Sequence, residues 1–348
     1  MSYLKELKIG GVTLPHNIIL APMAGVSDLP FRILCHEQGA AMCCMEMISA
    51  KAIYYNNKNT EELLEIAPEE GHVSLQLFGS DPQIMAEMAK KIEDRPFSVL
   101  DINMGCPVPK VVNNHEGSAL MKDPKLVGQI VEAVAKAINK PVTVKIRRGF
   151  DEQSENAVEI AHIAEESGAS AVAVHGRYRA QYYSGEANLD IIRKVKEKLS
   201  IPVLGNGDVT DIASAIRMFD ATGCDGILIG RAAEGNPWVF SQVVRGLESI
   251  DKAIETEELK VIASETKDIV EQVVGQIQKP SKEEVKQMIY RHLDLLERHK
   301  GEYIAVREMR KHVAWYTAGY PHSAAIRGAI NYADDKQVLV DIIEKFWK

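Results

Sequence analysis

The sequence predicts an α/β protein, a (β/α)8 barrel followed by a small all-helical domain. Eight short apolar runs, several rich in Val and Ile, recur over about 240 of the 348 residues. Amphipathic stretches separate them, and after the eighth run only the helical period continues. Near-continuous apolar strands alternating with helices mark a parallel sheet covered on its outer face, and eight such units are enough to close it. The competing doubly wound sheet calls for G-x-G-x-x-G after its first strand, where this chain reads Ala21-Pro22-Met23-Ala24-Gly25.

In chain order the strands are expected at Ile18–Met23, Ala41–Met47, Val73–Phe78, Val99–Met104, Val142–Arg147, Ala171–His175, Pro202–Gly205 and Gly226–Ile229. Helices are expected at Leu29–Gln38, Glu61–Ile66, Pro82–Ile92, Pro124–Ile138, Ser154–Glu166, Leu189–Leu199 and Asp211–Phe219. The barrel then occupies residues 1–245. An acidic interval, 246–280, is expected as a linker or an extra helix, with eight acidic residues against three lysines between 248 and 271. Ser281, followed by Glu283 and Glu284, is a helix N-cap signal and opens a helical domain over 281–348.

Composition excludes several classes. No apolar run nears the roughly 20 residues that cross a bilayer, and the N-terminus has no signal-peptide pattern, so a cytoplasmic protein is expected. The five cysteines lack C-x-x-C spacing, which argues against a disulfide framework or a structural metal site. Net charge is −8 but uneven. From Ser281 onward 12 basic residues meet 10 acidic ones, giving +2 and leaving −10 for the rest, so a local basic surface is compatible with the acidic total.

In a parallel barrel, ligands bind at the carboxyl ends of the strands, and the polar residues collect there. The fourth strand runs out into Asp101-Ile102-Asn103-Met104-Gly105-Cys106-Pro107, which places a cysteine on a loop at that end. On position alone, Cys106 is equally a reactive group or a small buried hydrophobe. On the fifth strand Thr143, Lys145 and Arg147 share one face, and two cations there suit an anionic or electron-rich ligand. The sixth ends in His175-Gly176-Arg177. After the seventh comes Gly205-Asn206-Gly207-Asp208, and after the eighth Gly230-Arg231. Backbone N–H groups of two glycine loops at these two strands form a phosphate site, to which Arg231 adds a cation. With Lys145, Gln76 and the backbone of Pro22-Met23-Ala24, the set fits FMN lying across the mouth, Lys145 balancing negative charge on the reduced ring.

Together with Ala21 to Asp28, Gln76-Leu77-Phe78-Gly79 and Asn103-Met104-Gly105-Cys106-Pro107, these segments resemble the tRNA-dihydrouridine synthases. Arg307-Glu308-Met309-Arg310-Lys311-His312 is similar to the bacterial B subgroup. The resemblance implies a flavin enzyme that takes hydride from NADPH or NADH and saturates one uracil of tRNA. Hydride would reach carbon 6, and Cys106 would protonate carbon 5 as general acid. It also implies Pro22, Met23, Ala24, Gln76, Lys145, His175, Asn206, Gly207, Asp208, Gly230 and Arg231 for FMN, and Asn103, Lys110 and Arg177 for substrate. Arg307, Arg310 and Lys311 fall on one helical face that could contact phosphates. Neither a metal nor an obligate protein partner is expected. The alternatives are a dihydroorotate dehydrogenase-like enzyme acting on free pyrimidine, an aldolase-like use of Lys145, and a non-catalytic tRNA-binding scaffold.

Overall fold

The computed structural model describes residues 2–255 and 263–347. It opens with an antiparallel hairpin, β1 (Leu7–Ile9) and β2 (Val12–Leu14), which turns at Gly10-Gly11 with Gly10 at φ +55. Paired glycines between alternating apolar residues are a hairpin signal, and one that a search for parallel strands misses. The eight expected strands follow as β3 (Ile18–Leu20), β4 (Met42–Ser49), β5 (Val73–Phe78), β6 (Val99–Met104), β7 (Val142–Arg147), β8 (Ala171–His175), β9 (Val203–Asn206) and β10 (Gly226–Ile229). They pair in sequence order, and β10 closes on β3. β3 is shorter than expected: the ladder ends as Ala21 N–H donates to Ile229 O, since Pro22 has no N–H to give. β4 runs on to Ser49 past an irregularity between Cys44 and Met47.

Helices α1 (Leu29–Glu37), α2 (Ala50–Tyr54), α3 (Lys58–Leu63), α4 (Pro82–Lys91), α5 (Pro109–Val112), α6 (Pro124–Ala137), α7 (Ala157–Glu166), α8 (Leu189–Lys198), α9 (Ile212–Thr222) and α10 (Val239–Glu255) belong to the barrel part. Their starts are written locally. Asp28, Asp81 and Asp123 each accept a backbone N–H at the N-cap of α1, α4 and α6, with a proline in the first turn. The acidic interval is mostly helical where described, falling in α10 and in α11 (Ala263–Gln276) and running out as irregular chain over 277–280, while 256–262 lie outside the described residues. Four helices complete the chain: α12 (Lys282–Lys300), α13 (Glu302–Tyr316), α14 (Ser323–Ile330) and α15 (Lys336–Trp347). Ser281 and Glu284 form a reciprocal capping box at the start of α12.

Strand alternation divides the apolar residues. Outward side chains such as Ile18, Leu75, Ile102, Val144 and Ile227 pack under the helices in the main core. The lower barrel interior is a separate cluster in which Ile19, Met42, Val99, Ala171, Leu204 and Leu228 meet Leu7, Ile9 and Leu14 of the hairpin. The hairpin therefore plugs the amino-terminal end. Helices α12 to α15 surround a third cluster, including Ile289, Leu293, Met309, Val313 and Leu339.

This last cluster meets the barrel along α1. Phe31 stacks on His292 and His312 at centroid distances of 5.9 and 6.0 Å, Arg291 pairs with Glu37 at 2.6 Å, and Lys300 pairs with Asp28 at 2.6 Å. No helix among the described residues is long and apolar enough to cross a membrane.

Candidate active site

Ladder register puts the inward polar groups of β5 to β9 side by side. Gln76 stands beside Asp101, Asn103 beside Lys145, Arg147 beside His175, and His175 beside Asn206. Each is buried or nearly so, and hydrogen bonds tie most of them into two adjoining sets. Gln76 donates to Asp101 (2.6 Å), Thr143 donates to the other oxygen of Asp101 (2.7 Å), and Asn103 donates to Gln76 Oε1 (2.8 Å). Lys145 donates to Asn206 Oδ1 (3.0 Å), and Asn206 donates to Leu228 O (2.9 Å). Asp101 is the anchor of this layer. Its signal in the sequence is an acid placed two residues before Asn103 within an otherwise apolar strand.

The cysteine loop is held from three sides. Asn103 Oδ1 accepts the N–H of Cys106 (2.9 Å) and of Gly105 (3.2 Å), and Arg147 Nε donates to Gly105 O (2.8 Å). Cys106 O accepts from Ser118 N and Oγ at 3.1 and 2.8 Å. Gly117 stands at φ +60, and a β-carbon there would come within 3.0 Å of Cys106 Cβ, so this turn has room only for glycine. Asn103 thus has its carbonyl oxygen spent on the loop, and only the second N–H of its amide is open to a ligand.

Electrostatics follow from burial. The Cys106 thiol is pushed above its ordinary range, burial outweighing the opposing pull of the Val108 N–H, Arg147 and Lys145. It is therefore a protonated thiol at neutral pH. Lys145 is pushed down to about 8 by burial and then by the Arg147 cation. His175 is held well below its usual range by burial and by Lys145, Arg147, Arg177 and Arg231, and so is neutral. Four cations surrounding one neutral ring describe an electropositive mouth.

The anion loops lie where the sequence puts them. Gly207, at φ +123, has no room for a β-carbon, which would fall 2.6 Å from Ala187 Cβ and 3.2 Å from the His175 ring, and Asp208 follows at φ +55. Asp208 accepts from Arg177 (2.8 Å), Arg231 (3.3 Å) and Ala187 N (2.8 Å). Its carboxylate therefore orients two guanidiniums and, being itself an anionic acceptor, would not hold a phosphate directly. Arg177 is 2% exposed, donates to Ser184 O and Gly185 O, and keeps Nη1 buried without a partner. A buried donor left open amid like charges fits an anionic or carbonyl-bearing ligand. Met23 reaches across to Gly230, whose missing β-carbon would sit 3.7 Å from the Met23 sulfur. The groups expected for FMN, Pro22 to Ala24, Gln76, Lys145, His175, Asn206, Gly207, Asp208, Gly230 and Arg231, are thus brought to one end of the barrel.

Substrate-side expectations divide. Lys110 lies exposed on α5 beyond Cys106 and carries no ion pair among the described residues. The face of α13 does not act as one strip. Arg310 is turned inward to Ala333 O (2.7 Å) and Asp334 (3.4 Å), and Lys311 donates to Gly25 O (2.6 Å). Arg307 stacks on Tyr303 at 3.5 Å from the ring centroid. Exposed Tyr182 and Tyr183 on the β8–α8 loop, with Arg231 4.6 Å above the Tyr183 ring, were not singled out by sequence reasoning. Their signal is two adjacent aromatics in a polar loop. Among the described residues no three or more His, Cys, Asp or Glu side chains converge as a metal site, and all five cysteines are free and buried.

A closed parallel barrel plugged at one end, with a buried, cation-rich layer and a thiol at the other, defines this chain as a (β/α)8-barrel enzyme. The family model described as Dihydrouridine synthase (Dus) matches residues 19–347, and the chain belongs to that family. A protein of Rickettsia bellii named probable tRNA-dihydrouridine synthase is 40% identical over 342 residues, 98% of each chain. The tRNA-dihydrouridine synthase B of Pseudomonas putida is 39% identical over 346 residues, 99% of this chain and 95% of that one. Among solved structures, 6-hydroxypseudooxynicotine amine oxidase from Pseudomonas geniculata aligns over 71% of this chain and 49% of its own, with a TM-score of 0.57 at 14% identity. The chain thus spans about half the length of that enzyme. Morphinone reductase aligns over 70% of this chain and 90% of its own, with a TM-score of 0.51 at 12% identity. These two likenesses concern the barrel fold.

Proposed function

We propose that this protein reduces a uridine of tRNA to 5,6-dihydrouridine, with FMN as its cofactor and NADPH or NADH as the source of hydride. The observation that carries the reading is the juxtaposition, in one buried layer, of a protonated thiol on a fixed loop with a cation-ringed mouth whose Arg177 keeps an open donor.

A bound flavin would supply hydride to carbon 6 of the uracil. Lys145 and Gln76 would hold the flavin ring, Lys145 opposing negative charge, while the Asn206-Gly207 backbone, Gly230 and Arg231 would take the phosphate and Met23 would pack against the ring. Asp208 serves this site by aiming Arg177 and Arg231. Cys106 gives its proton to carbon 5. Burial keeps that proton on sulfur until charge builds on the base, and the neighbouring Arg147 and Lys145 then stabilise the thiolate left behind. Asn103 fixes the loop and offers its remaining N–H to the uracil edge. The uridine must leave its stack to reach this depth. Lys110 and Arg307, the expected cations not tied across the fold, would meet phosphates, as an acidic protein grips RNA through local charge.

The test is mass spectrometry of nucleosides from dihydrouridine-free tRNA after incubation with the protein, FMN and NADPH. A gain of two hydrogens on one uridine is expected. Absence of that gain with flavin bound, and turnover of free pyrimidine in its place, would overturn the tRNA assignment.

A further inference from the structure

Lys311 was expected to grip RNA, yet its half-buried ammonium donates within the protein, and what it holds is the first strand-end loop. That loop is knotted on Met23. Val26 N and Ser27 N donate to Met23 O at 3.0 and 2.9 Å, and Met23 N donates to Ser27 Oγ at 3.0 Å. Gly25 is the apex, at φ +73, with open space where a β-carbon would be, so it is needed for its backbone angle alone. Its carbonyl accepts from Lys311 at 2.6 Å, and its N–H faces the half-buried Glu46 carboxylate. Just downstream, Ser27 O accepts from Arg32 at 2.9 Å. Asp28, which caps α1 through Phe31 N, pairs with Lys300 at 2.6 Å, and Lys300 also holds Glu308 at 2.8 Å. Of the three cations that strap this loop, two therefore come from α12 and α13.

The surroundings decide between strap and RNA contact. Lys300, Lys311 and Arg32 line a cleft of about 310 Å³ together with Asp28, Glu46 and Glu308, and Glu62, Glu65 and His299 stand in the same wall. Five carboxylates would repel a phosphate, whereas a carbonyl oxygen is neutral and already in contact.

We infer that Lys311, supported by Lys300, is a positioning residue for the flavin: the C-terminal helices set the loop carrying Pro22, Met23 and Ala24, and hence the affinity and environment of the ring. The inference rests on the reading above that this loop lines the flavin site.

Titration of the full-length protein with FMN, followed by flavin fluorescence and visible circular dichroism, tests it. Lys311→Met is expected to weaken FMN binding about tenfold, equivalent to about 1.4 kcal/mol, and to alter the visible dichroism. Lys311→Arg, which keeps a donor, should restore most of both. Affinity for tRNA at saturating FMN should change less than about twofold, well below the tenfold effect on flavin. Gly25→Ala, strained at positive φ but sterically open, perturbs the loop while leaving every residue of α13 unchanged and should reproduce the flavin defect, which guards against misfolding of the lysine variant. Unchanged FMN affinity in Lys311→Met would overturn the inference, whatever Gly25→Ala does. So would a loss of tRNA affinity with flavin binding intact, which would make Lys311 an RNA cation. Failure of the wild type to bind FMN would instead overturn the cofactor reading, and this inference with it.

Discussion

The two ends of the barrel are built from the same eight strands and have opposite chemistry. At the amino-terminal end the inward positions are Ile19, Met42, Val99, Ala171, Leu204 and Leu228, sealed by Leu7, Ile9 and Leu14 of the hairpin. At the carboxyl end, further along the same strands, they are Gln76, Asn103, Lys145, Arg147, His175 and Asn206, with pKa shifts at Lys145, Arg147 and His175 and an unpaired nitrogen on Arg177. Asp101, bonded to Gln76 and Thr143, marks the boundary between them. The plugged end supplies stability by apolar burial, and the open end concentrates buried charge that is unfavourable until a ligand meets it. Division of labour is therefore along the strand axis, two residues at a time.

Substitutions that confine damage to one end sharpen this contrast. The largest effect is expected for Cys106→Ala, a loss of about 10²–10⁴ in single-turnover rate with flavin and tRNA still bound; near-wild-type turnover would remove the thiol from the acid role. Leu14→Ala strikes the plug and should cost about 2–5 kcal/mol in urea unfolding while leaving the FMN dissociation constant unchanged. An equal loss at both ends would break the comparison.

Titration separates two kinds of buried histidine. His175 at the mouth is depressed by burial and four cations, which an anionic ligand would offset, whereas His292 is held down to about 4 by burial in the seam against α1. Below its ordinary 6.5 the unfolded chain takes up the proton that folded His292 refuses. Its contribution is thus complete above that pH and falls with acidification, by about 2 kcal/mol at pH 5. Urea midpoints at pH 7 and 5 measure this, and FMN should not rescue it. A smaller effect is expected at Lys145, neutral above about 8 when the mouth is free. FMN affinity should decline as pH rises through that value, and Lys145→Met should remove the inflection. Smallest, Lys110→Met with Arg307→Met should flatten the salt dependence of tRNA binding by about two phosphate contacts; an unchanged slope would clear both residues.

The barrel was legible because buried parallel strands write continuous apolar runs, and the site because polar residues interrupt those runs only at strand ends. Lys145 and His175 stand out on alternation alone. What the sequence concealed is tertiary. Arg307, Arg310 and Lys311 share a helical face by spacing, but whether that face meets solvent depends on the α14–α15 junction and on the Gly25 loop, hundreds of positions away in the second case. Periodicity gives direction around a helix, not what stands opposite.

Gly235, at φ +64, has its Cα so close to α13 that a β-carbon would come within 2.5 Å of Tyr316 N. At this point the barrel and the helices approach backbone to backbone. If the helices and the mouth grip one RNA together, that close seam sets the span between thiol and phosphate contacts like the jaws of a caliper, and the choice of uridine becomes a measurement of length before it is a recognition of sequence.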